Sequence, residues 1–514
     1  MNQLFLWTYV FGCACLNAQG FRSVFTPSGA STCESYFIEE TTPLNYFALG
    51  LIARNLGNVT YSELVISGLN NAGAVTWEKR TGSPSSYHLD IGTNRQAIKS
   101  QGNIYYAGVL RQGVQQNGAF LKFDFNGNIL WQKVFSEAGA TTVTGIVAPS
   151  VDGGFLLAGF TETANVAGRP ALLIKTDVNG NLLWKKKYVK APSNVIYGRC
   201  VLQDKASKKI VIAGSCYGTA PDSLYPILII TDSIGNQIEQ RIGIEQGYYT
   251  DMAQLADGSI ILVGSTITSS LTSTGSANLM YSTHTKLCLD SANFLYRKNF
   301  DSPNASNWFN TVNAVSNGTE YITNGTIDTL YQYFPPYRYD EMVRITKFNA
   351  NGMMLSNRYY SYPRFADPKK PYFDNRMYSK HMGITSDKGL VAAVQINNYS
   401  ISDPLFYVKF DSTGCDSSIA YCQNPTGLTE LASEEGLFLF PVPAHDYLMV
   451  DQTKVQDKFS AIEIVDALGK RVKSQVLLSA SEAIDIKELD EGCYFVLFKN
   501  DKGQVALRRK LIIE

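Results

Sequence analysis

The chain has 514 residues and balances 45 Lys+Arg against 45 Asp+Glu, for a formal net charge of zero. No basic excess exists to neutralise a phosphate backbone or to hold the chain on an anionic membrane, which argues against nucleic acid as a partner. The four histidines, His88, His284, His381 and His445, are far apart and form no HExxH pair, and no phosphate-cradling or dinucleotide-binding motif occurs. Neither a metal nor a cofactor is expected.

Residues 1–20, MNQLFLWTYVFGCACLNAQG, carry an apolar run from Leu4 to Leu16 followed by small residues, the pattern of a secretory signal peptide. That run is too short to span a bilayer, and no later stretch reaches about 18 apolar residues, so no transmembrane span is expected. Removing Cys13 and Cys15 leaves seven cysteines. Cys415 and Cys422 would close a short loop, and Cys200 and Cys216 lie on segments that read as two paired strands. Both pairs are candidate disulfides for an oxidising compartment, with isolated buried thiols the open alternative.

From Cys33 onward the sequence repeats. Asp152 to Tyr188 is the clearest copy: a tight turn at Asp152-Gly153-Gly154, an apolar strand ending in Ala158-Gly159, a second strand, an Asp177-Val178-Asn179-Gly180 turn, and a strand carrying Trp184. The turn position recurs at Gly73, Gly127, Gly180, Gly235, Asn293, Gly352 and Gly414, with spacings of 54, 53, 55, 58, 59 and 62. The strand glycine recurs independently at Gly50, Gly108, Gly159, Gly214, Gly264, Gly325 and Ala393. Trp77, Trp131 and Trp184 mark the fourth strand of the first three copies, with Ile238, Tyr296 and Leu355 in the equivalent place later. A unit of this length with four short strands cannot bury both faces of its own sheet, so the units must stack, and radial stacking closes a ring. The expected fold is all-β, a seven-bladed β-propeller over residues 21–426. These repeats resemble the divergent propeller repeats of secreted Bacteroidota proteins.

The DxNGN segments at Asp124–Asn128 and Asp177–Asn181 invite a calcium reading, but the further carboxylates of a calcium loop are missing. Hairpin turns that use Asn and Gly for positive φ account for the same residues.

In a four-stranded meander the 1–2 and 3–4 turns share one face, and the 2–3 loops and blade connections share the other. The long insertions fall on the second face. In the sixth unit the 2–3 loop reads Asp328–Glu341, and the connection that follows carries Tyr359–Phe365 and Pro371–Phe373. Tyr331, Tyr333, Phe334, Tyr337, Tyr339, Tyr360, Tyr362 and Tyr372, with Arg338 and Arg364, are the candidate ligand-binding residues, for a glycan or a surface protein. The alternative is that these rings only pack the two loops together. Asp340, Glu341 and Asp367 offer the carboxylates that a glycoside hydrolase would need. No nucleophile elbow accompanies them, so a non-enzymatic binding or adhesion protein is expected, with an extracellular enzyme or a purely structural surface protein as alternatives.

After a linker at 427–436, residues 437–514 leave the blade pattern and read as a small immunoglobulin-like β-sandwich. Pro441 and Pro443-Ala444 open it, Gly469-Lys470 lie in a central turn, Gly492 and Tyr494 belong to a Leu-x-x-Gly-x-Tyr element, and Lys510 sits in a basic-apolar last strand. In order, these landmarks resemble the C-terminal sorting domain of the type IX secretion system. The resemblance implies the type IX machinery as partner, periplasmic transit, and a secreted or outer-membrane surface-attached product.

Overall fold

The computed structural model describes residues 20–411 and 437–513, apart from 361–375 and shorter segments that include 57–58, 90–94, 164–167, 191–194, 301–306, 333–337 and 398–403. The signal-peptide segment, Cys415, Cys422 and the 427–436 linker lie outside the described residues. The chain divides into two compact units, Met1–Gln423 and Asn424–Glu514.

The first unit is built from seven antiparallel sheets. Blades 1 to 6 start with innermost strands at Thr32–Thr42, Ser86–Leu89 with Ala97–Ser100, Ala140–Pro149, Ile196–Gln203, Gly247–Gln254 and Asn307–Val315. Each then meanders outward. Blade 7 starts at Arg376–Ile384 and continues through Leu390–Asn397 and Leu405–Phe410, but its outermost strand is Phe21–Phe25 from the other end of the unit. Phe21 pairs with Lys409 and Phe25 with Leu405. The ring is closed by strand exchange between its first and last segments.

Seven apolar clusters fill the seven spaces between blades. The cluster of Phe47, Leu49, Ile104 and Leu121 lies between blades 1 and 2, and that of Phe21, Tyr46, Val391 and Tyr407 lies between blades 7 and 1. The other interfaces carry equivalent cores, for example Phe120 with Phe155 and Ile261 with Phe309. Each blade is apolar on both faces because both are covered by neighbours, so the middle strands read as near-continuous hydrophobic runs.

The turn glycines have two duties. Each adopts positive φ, and each receives the aromatic ring of the preceding blade's outermost strand. A Cβ on Gly127 would lie 2.6 Å from Trp77, one on Gly180 2.6 Å from Trp131, one on Gly235 2.7 Å from Trp184 and one on Gly352 2.6 Å from Tyr296. The ring of Phe21 completes the series against Gly73 at 2.5 Å. The DxNGN aspartates are consumed by their own turns. Asp124 Oδ1 accepts the N–H groups of Asn126 (3.0 Å) and Asn128 (2.8 Å), and Oδ2 accepts Asn128 Nδ2 (2.7 Å). Asp177 repeats the pattern.

Cys200 and Cys216 do lie on paired strands, but the candidate disulfide between them is corrected. Cys200 pairs with Ala213 and Cys216 with Ile196. Cys200 packs into the core shared with blade 5, Cys216 into the core shared with blade 3, and both thiols are free. Side chains on opposite faces of one sheet cannot bridge.

The second unit is a two-sheet sandwich. One sheet orders Phe438–Phe440, Tyr447–Asp451 and Ser481–Asp485, and the other Arg471–Val476, Ala461–Asp466, Gly492–Lys499 and Val505–Ile513. Leu448, Ile464, Val496, Phe498 and Leu511 fill its core.

Candidate functional site

The innermost strands share a local irregularity that shapes the mouth of the central channel. Six of the seven carry a one-residue bulge, seen as a register shift at Ser35/Phe37, Thr144/Ile146, Gly198/Cys200, Tyr249/Asp251, Phe309/Thr311 and Ser379/His381. The strand glycines exist for these bulges. A Cβ on Gly159, Gly214, Gly264 or Gly325 would fall 1.9–2.2 Å from a carbonyl oxygen of the bulged strand. In blade 7 the equivalent place is taken by Val394, which pairs with Ser379, one residue beyond the Ala393 used in the sequence count.

Two residues before the bulge, four consecutive blades carry an aromatic side chain: Tyr197, Tyr248, Trp308 and Tyr378. All four are half-buried. Each lies near the start of its strand, hence on the face of the blade connections and 2–3 loops. Trp308 and Tyr378 stack across the blade boundary with centroids 5.9 Å apart and planes at 20°. The Arg199 guanidinium, at the bulge of blade 4, lies 5.1 Å from the centre of the Tyr248 ring. Tyr197 meets Phe160 edge-on, and its hydroxyl accepts a hydrogen bond from Arg169 (2.9 Å). Burial pushes the Tyr248 hydroxyl up to about 12, against the opposing charge of Arg199. The Tyr248 hydroxyl is therefore protonated and can donate at neutral pH.

Blade 2 departs from this pattern: Arg95, just before its Ala97–Ser100 segment, reaches across the channel. Its carbonyl accepts the Val147 N–H of blade 3 (3.2 Å), while its Nε lies 2.5 Å from Asp251 Oδ1 of blade 5. Its Nη2 donates to the Val312 carbonyl of blade 6 (2.5 Å), and Asp251 Oδ2 accepts the Val312 N–H (2.8 Å). Arg95 holds φ at +56°, a conformation that non-glycine residues reach at a cost of about 1 kcal/mol or more. Burial pushes the Asp251 carboxyl up, and Arg95 is the largest opposing influence.

Further along the channel, Glu39 is pushed up to about 7. Burial is the main cause, opposed by Lys99 and Arg95 and reinforced by Glu40. His381 Nε2 stands 3.8 Å from Glu39, but burial and Arg95 hold His381 at about 3, so the neutral ring makes no ion pair there at pH 7. No group of three His, Cys, Asp or Glu side chains suited to a metal ion occurs among the described residues.

The candidates drawn from the sequence fare unevenly. Tyr360 is corrected: it is 3% exposed, packed with Phe406 and Phe410 in the core between blades 6 and 7, with Arg22 over its ring. It ends an outermost strand, where alternation turns it inward. The segment expected to be a long loop, Asp328–Glu341, is mostly a hairpin whose strands stay paired to Gln332 and Arg338. Tyr331, Arg338 and Tyr339 lie in those strands. Tyr333, Phe334, Tyr337, Tyr362, Arg364, Tyr372 and Asp367 lie outside the described residues. The channel-mouth arc was missed, although a signal exists: each ring precedes its strand glycine, or Ala393, by 15 to 17 residues. Nothing in the sequence marks Arg95.

In the C-terminal unit, Ala444 is fully buried and its N–H donates to the Ile512 carbonyl (2.8 Å). The Lys470 N–H caps Asp466 (2.9 Å), the Tyr494 hydroxyl donates to the Asp490 carbonyl (2.9 Å), Gly492 opens a core strand, and Lys510 pairs with Phe495. Pro441, Pro443 and Gly469 lie outside the described residues. Residues 438–514 match the family described as secretion system C-terminal sorting domain. The chain is a secreted, type IX-sorted β-propeller protein. Its sorting domain indicates secretion and cell-surface attachment, and no helix among the described residues is long and apolar enough to cross a membrane.

No curated protein matches the chain. Solved structures similar to it include a protein of unknown function from Bacteroides caccae (14% identity, 62% of this chain and 94% of that one, TM-score 0.35). The β-propeller domain of the Trilobed protease from Pyrococcus furiosus is 11% identical, covering 76% and 99%, with a TM-score of 0.40. The polysaccharide lyase Uly1 is 10% identical, covering 74% and 90%, with a TM-score of 0.42. The seven blades follow from the strand pairing itself.

Proposed function

We propose that the sorted propeller is an extracellular glycan-binding protein that takes its ligand at the channel mouth, without turning it over. The observation behind this reading is the arc of Tyr197, Tyr248, Trp308 and Tyr378, repeated at one structural position in four adjacent blades. Half-buried rings held by a rigid strand lose little entropy on binding and offer flat faces for sugar rings. In this reading the ring-rich segments expected from the sequence, with Tyr331, Tyr333, Phe334, Tyr337, Arg338, Tyr339, Tyr362, Arg364 and Tyr372, would extend the surface.

The test is a glycan array probed with the secreted protein and with Trp308→Ala/Tyr378→Ala, followed by a reducing-end assay on every glycan bound. The reading expects hits that the double variant loses while keeping its native near-ultraviolet circular dichroism, and no release of reducing ends. A blank array would contradict glycan binding. Chain cleavage would replace the binding role with an enzymatic one.

A further inference from the structure

The charges around the mouth are unevenly matched. Among the described residues its carboxylates are engaged: Glu162 pairs with Arg169 (3.1 Å), Glu245 pairs with Arg297 (3.1 Å), Glu34 accepts the Tyr36 hydroxyl (2.6 Å), and Asp251 is held by Arg95 (2.5 Å). The cations at two bulge positions are not. Arg199 donates to the Ser215 hydroxyl (3.4 Å) and covers the Tyr248 ring, with no carboxylate partner among the described residues. Lys380 makes no ion pair among the described residues. Both are half-buried, as the rings are.

A β-bulge re-aims the side chain of its extra residue. The bulges of blades 4 and 7 therefore place two cations without a carboxylate partner among the described residues at the ends of the aromatic arc, since Tyr197 and Arg199 share blade 4 and Tyr378 and Lys380 share blade 7. The intervening bulge residues do not compete for an anion. Thr250 is buried and spends its hydroxyl on the Phe309 carbonyl (2.7 Å), and Asn310 is buried with its amide toward Thr326 (3.4 Å). Beneath them, Arg95 crosses the channel already paired with Asp251 (2.5 Å), so the floor adds no net charge and the two bulge cations carry the positive field of the mouth.

We propose that the ligand is an acidic glycan, its sugar faces laid on Trp308 and Tyr378 and its carboxylate or sulfate groups paired with Arg199 and Lys380. This rests on the glycan-binding reading and deepens it. A guanidinium meets such an oxyanion with paired donors, an ammonium as a point charge, and both are strengthened in a concave, partly dry mouth.

The experiment uses the secreted protein against matched pairs: polygalacturonate with its carboxyl-reduced form, and chondroitin sulfate with its desulfated form, among the array hits. Titrations run at about 50 and 200 mM salt, where contacts to charged oxyanions are separated from stacking by their ionic-strength dependence. The acidic member of a pair should bind at least about ten-fold more tightly, with the gap narrowing at high salt and closing in Arg199→Gln/Lys380→Gln. Unchanged melting of that variant would exclude loss of fold. Equal or tighter binding of the neutral member, or a gap that survives in the variant, would overturn the acidic-ligand inference. In that case neutral glycans lost in Trp308→Ala would leave the glycan reading standing, whereas no glycan bound at all would remove both.

Discussion

The ring of Phe21 rests on Gly73, so close that a Cβ on the glycine would lie 2.5 Å from the ring. Phe21 belongs to the outermost strand of the last blade and Gly73 to a turn of the first, so this joint locks the propeller. Phe21 is 4% exposed and meets Tyr46 edge-on at 5.1 Å. Phe21→Ala should cost about 3–5 kcal/mol, as for other buried aromatics. Gly73→Ala should cost more than Gly102→Ala. Both glycines hold φ above +70°, but nothing lies within 4 Å of a Cβ at Gly102, which leaves only the conformational cost of about 1 kcal/mol there. Urea unfolding midpoints of the three variants check the ranking.

The cross-channel pair predicts a pH-dependent defect. Without Arg95, Asp251 is a buried carboxylate with no countercharge, a loss of about 3–5 kcal/mol at neutral pH. Its pKa is already raised by burial, and removing Arg95 raises it further. Protonation then relieves the penalty, so Arg95→Ala should approach the parent protein in stability near pH 4 and fall away as pH rises. Thermal melts across pH 4–8 read this directly, and Arg95→Met/Asp251→Leu should recover much of the loss.

Two turn aspartates predict acid sensitivity of the opposite sign. Burial alone would raise Asp152, but hydrogen bonds from Lys175, Ser150 and the Gly154 N–H outweigh it and hold it at about 2, and Asp257 is held at about 2 in the same way by Lys286 and Ser259. A depressed carboxylate stabilises the fold above its unfolded pKa, near 3.8, and that contribution disappears as pH falls toward 2. Both side chains are about half exposed, so the effect should be modest. Asp152→Asn/Asp257→Asn should flatten the melting curve between about pH 4 and 2. Glu39, raised to about 7 from 4.5, works the other way: its favourable contribution is complete below about pH 4.5 and lost as pH rises through 7. Glu39→Gln should remove that slope.

The thiols give a further check. Cys200 and Cys216 are buried and free, and burial raises both thiols, whereas Cys493 is exposed. Peptide mapping after alkylation should find Cys493 modified in the native protein, and Cys200 and Cys216 modified only after unfolding. A linked Cys200–Cys216 peptide would contradict the assignment.

How far the sequence carried depended on whether a residue's duty is local. Gly127, Gly180 and Gly235 were legible because one turn geometry repeats every 53 to 55 residues, beginning at Gly73. The closing strand was not, because Phe21 pairs with Lys409 almost the whole ring away in sequence. The strand pairing around Cys200 and Cys216 was read correctly, but a bridge failed because the two side chains face different neighbours. For the site, attention to ring-rich connections led to Tyr360, which packs inward, and away from Trp308 and Tyr378, which occupy ordinary-looking strand positions. Their prominence comes from the bulge that follows them, and a bulge is visible only in the register.

Ligand binding at the channel mouth is the property on which the proposed role depends. The most direct measurement is a titration of an array-identified glycan into the secreted protein, Trp308→Ala, and Leu183→Ala, an exposed outermost-strand control far from the mouth. Losing one stacking ring of two should weaken binding about ten-fold in Trp308→Ala and leave Leu183→Ala unchanged. Equal affinity for the parent protein and Trp308→Ala would place the ligand elsewhere on the propeller and contradict the account.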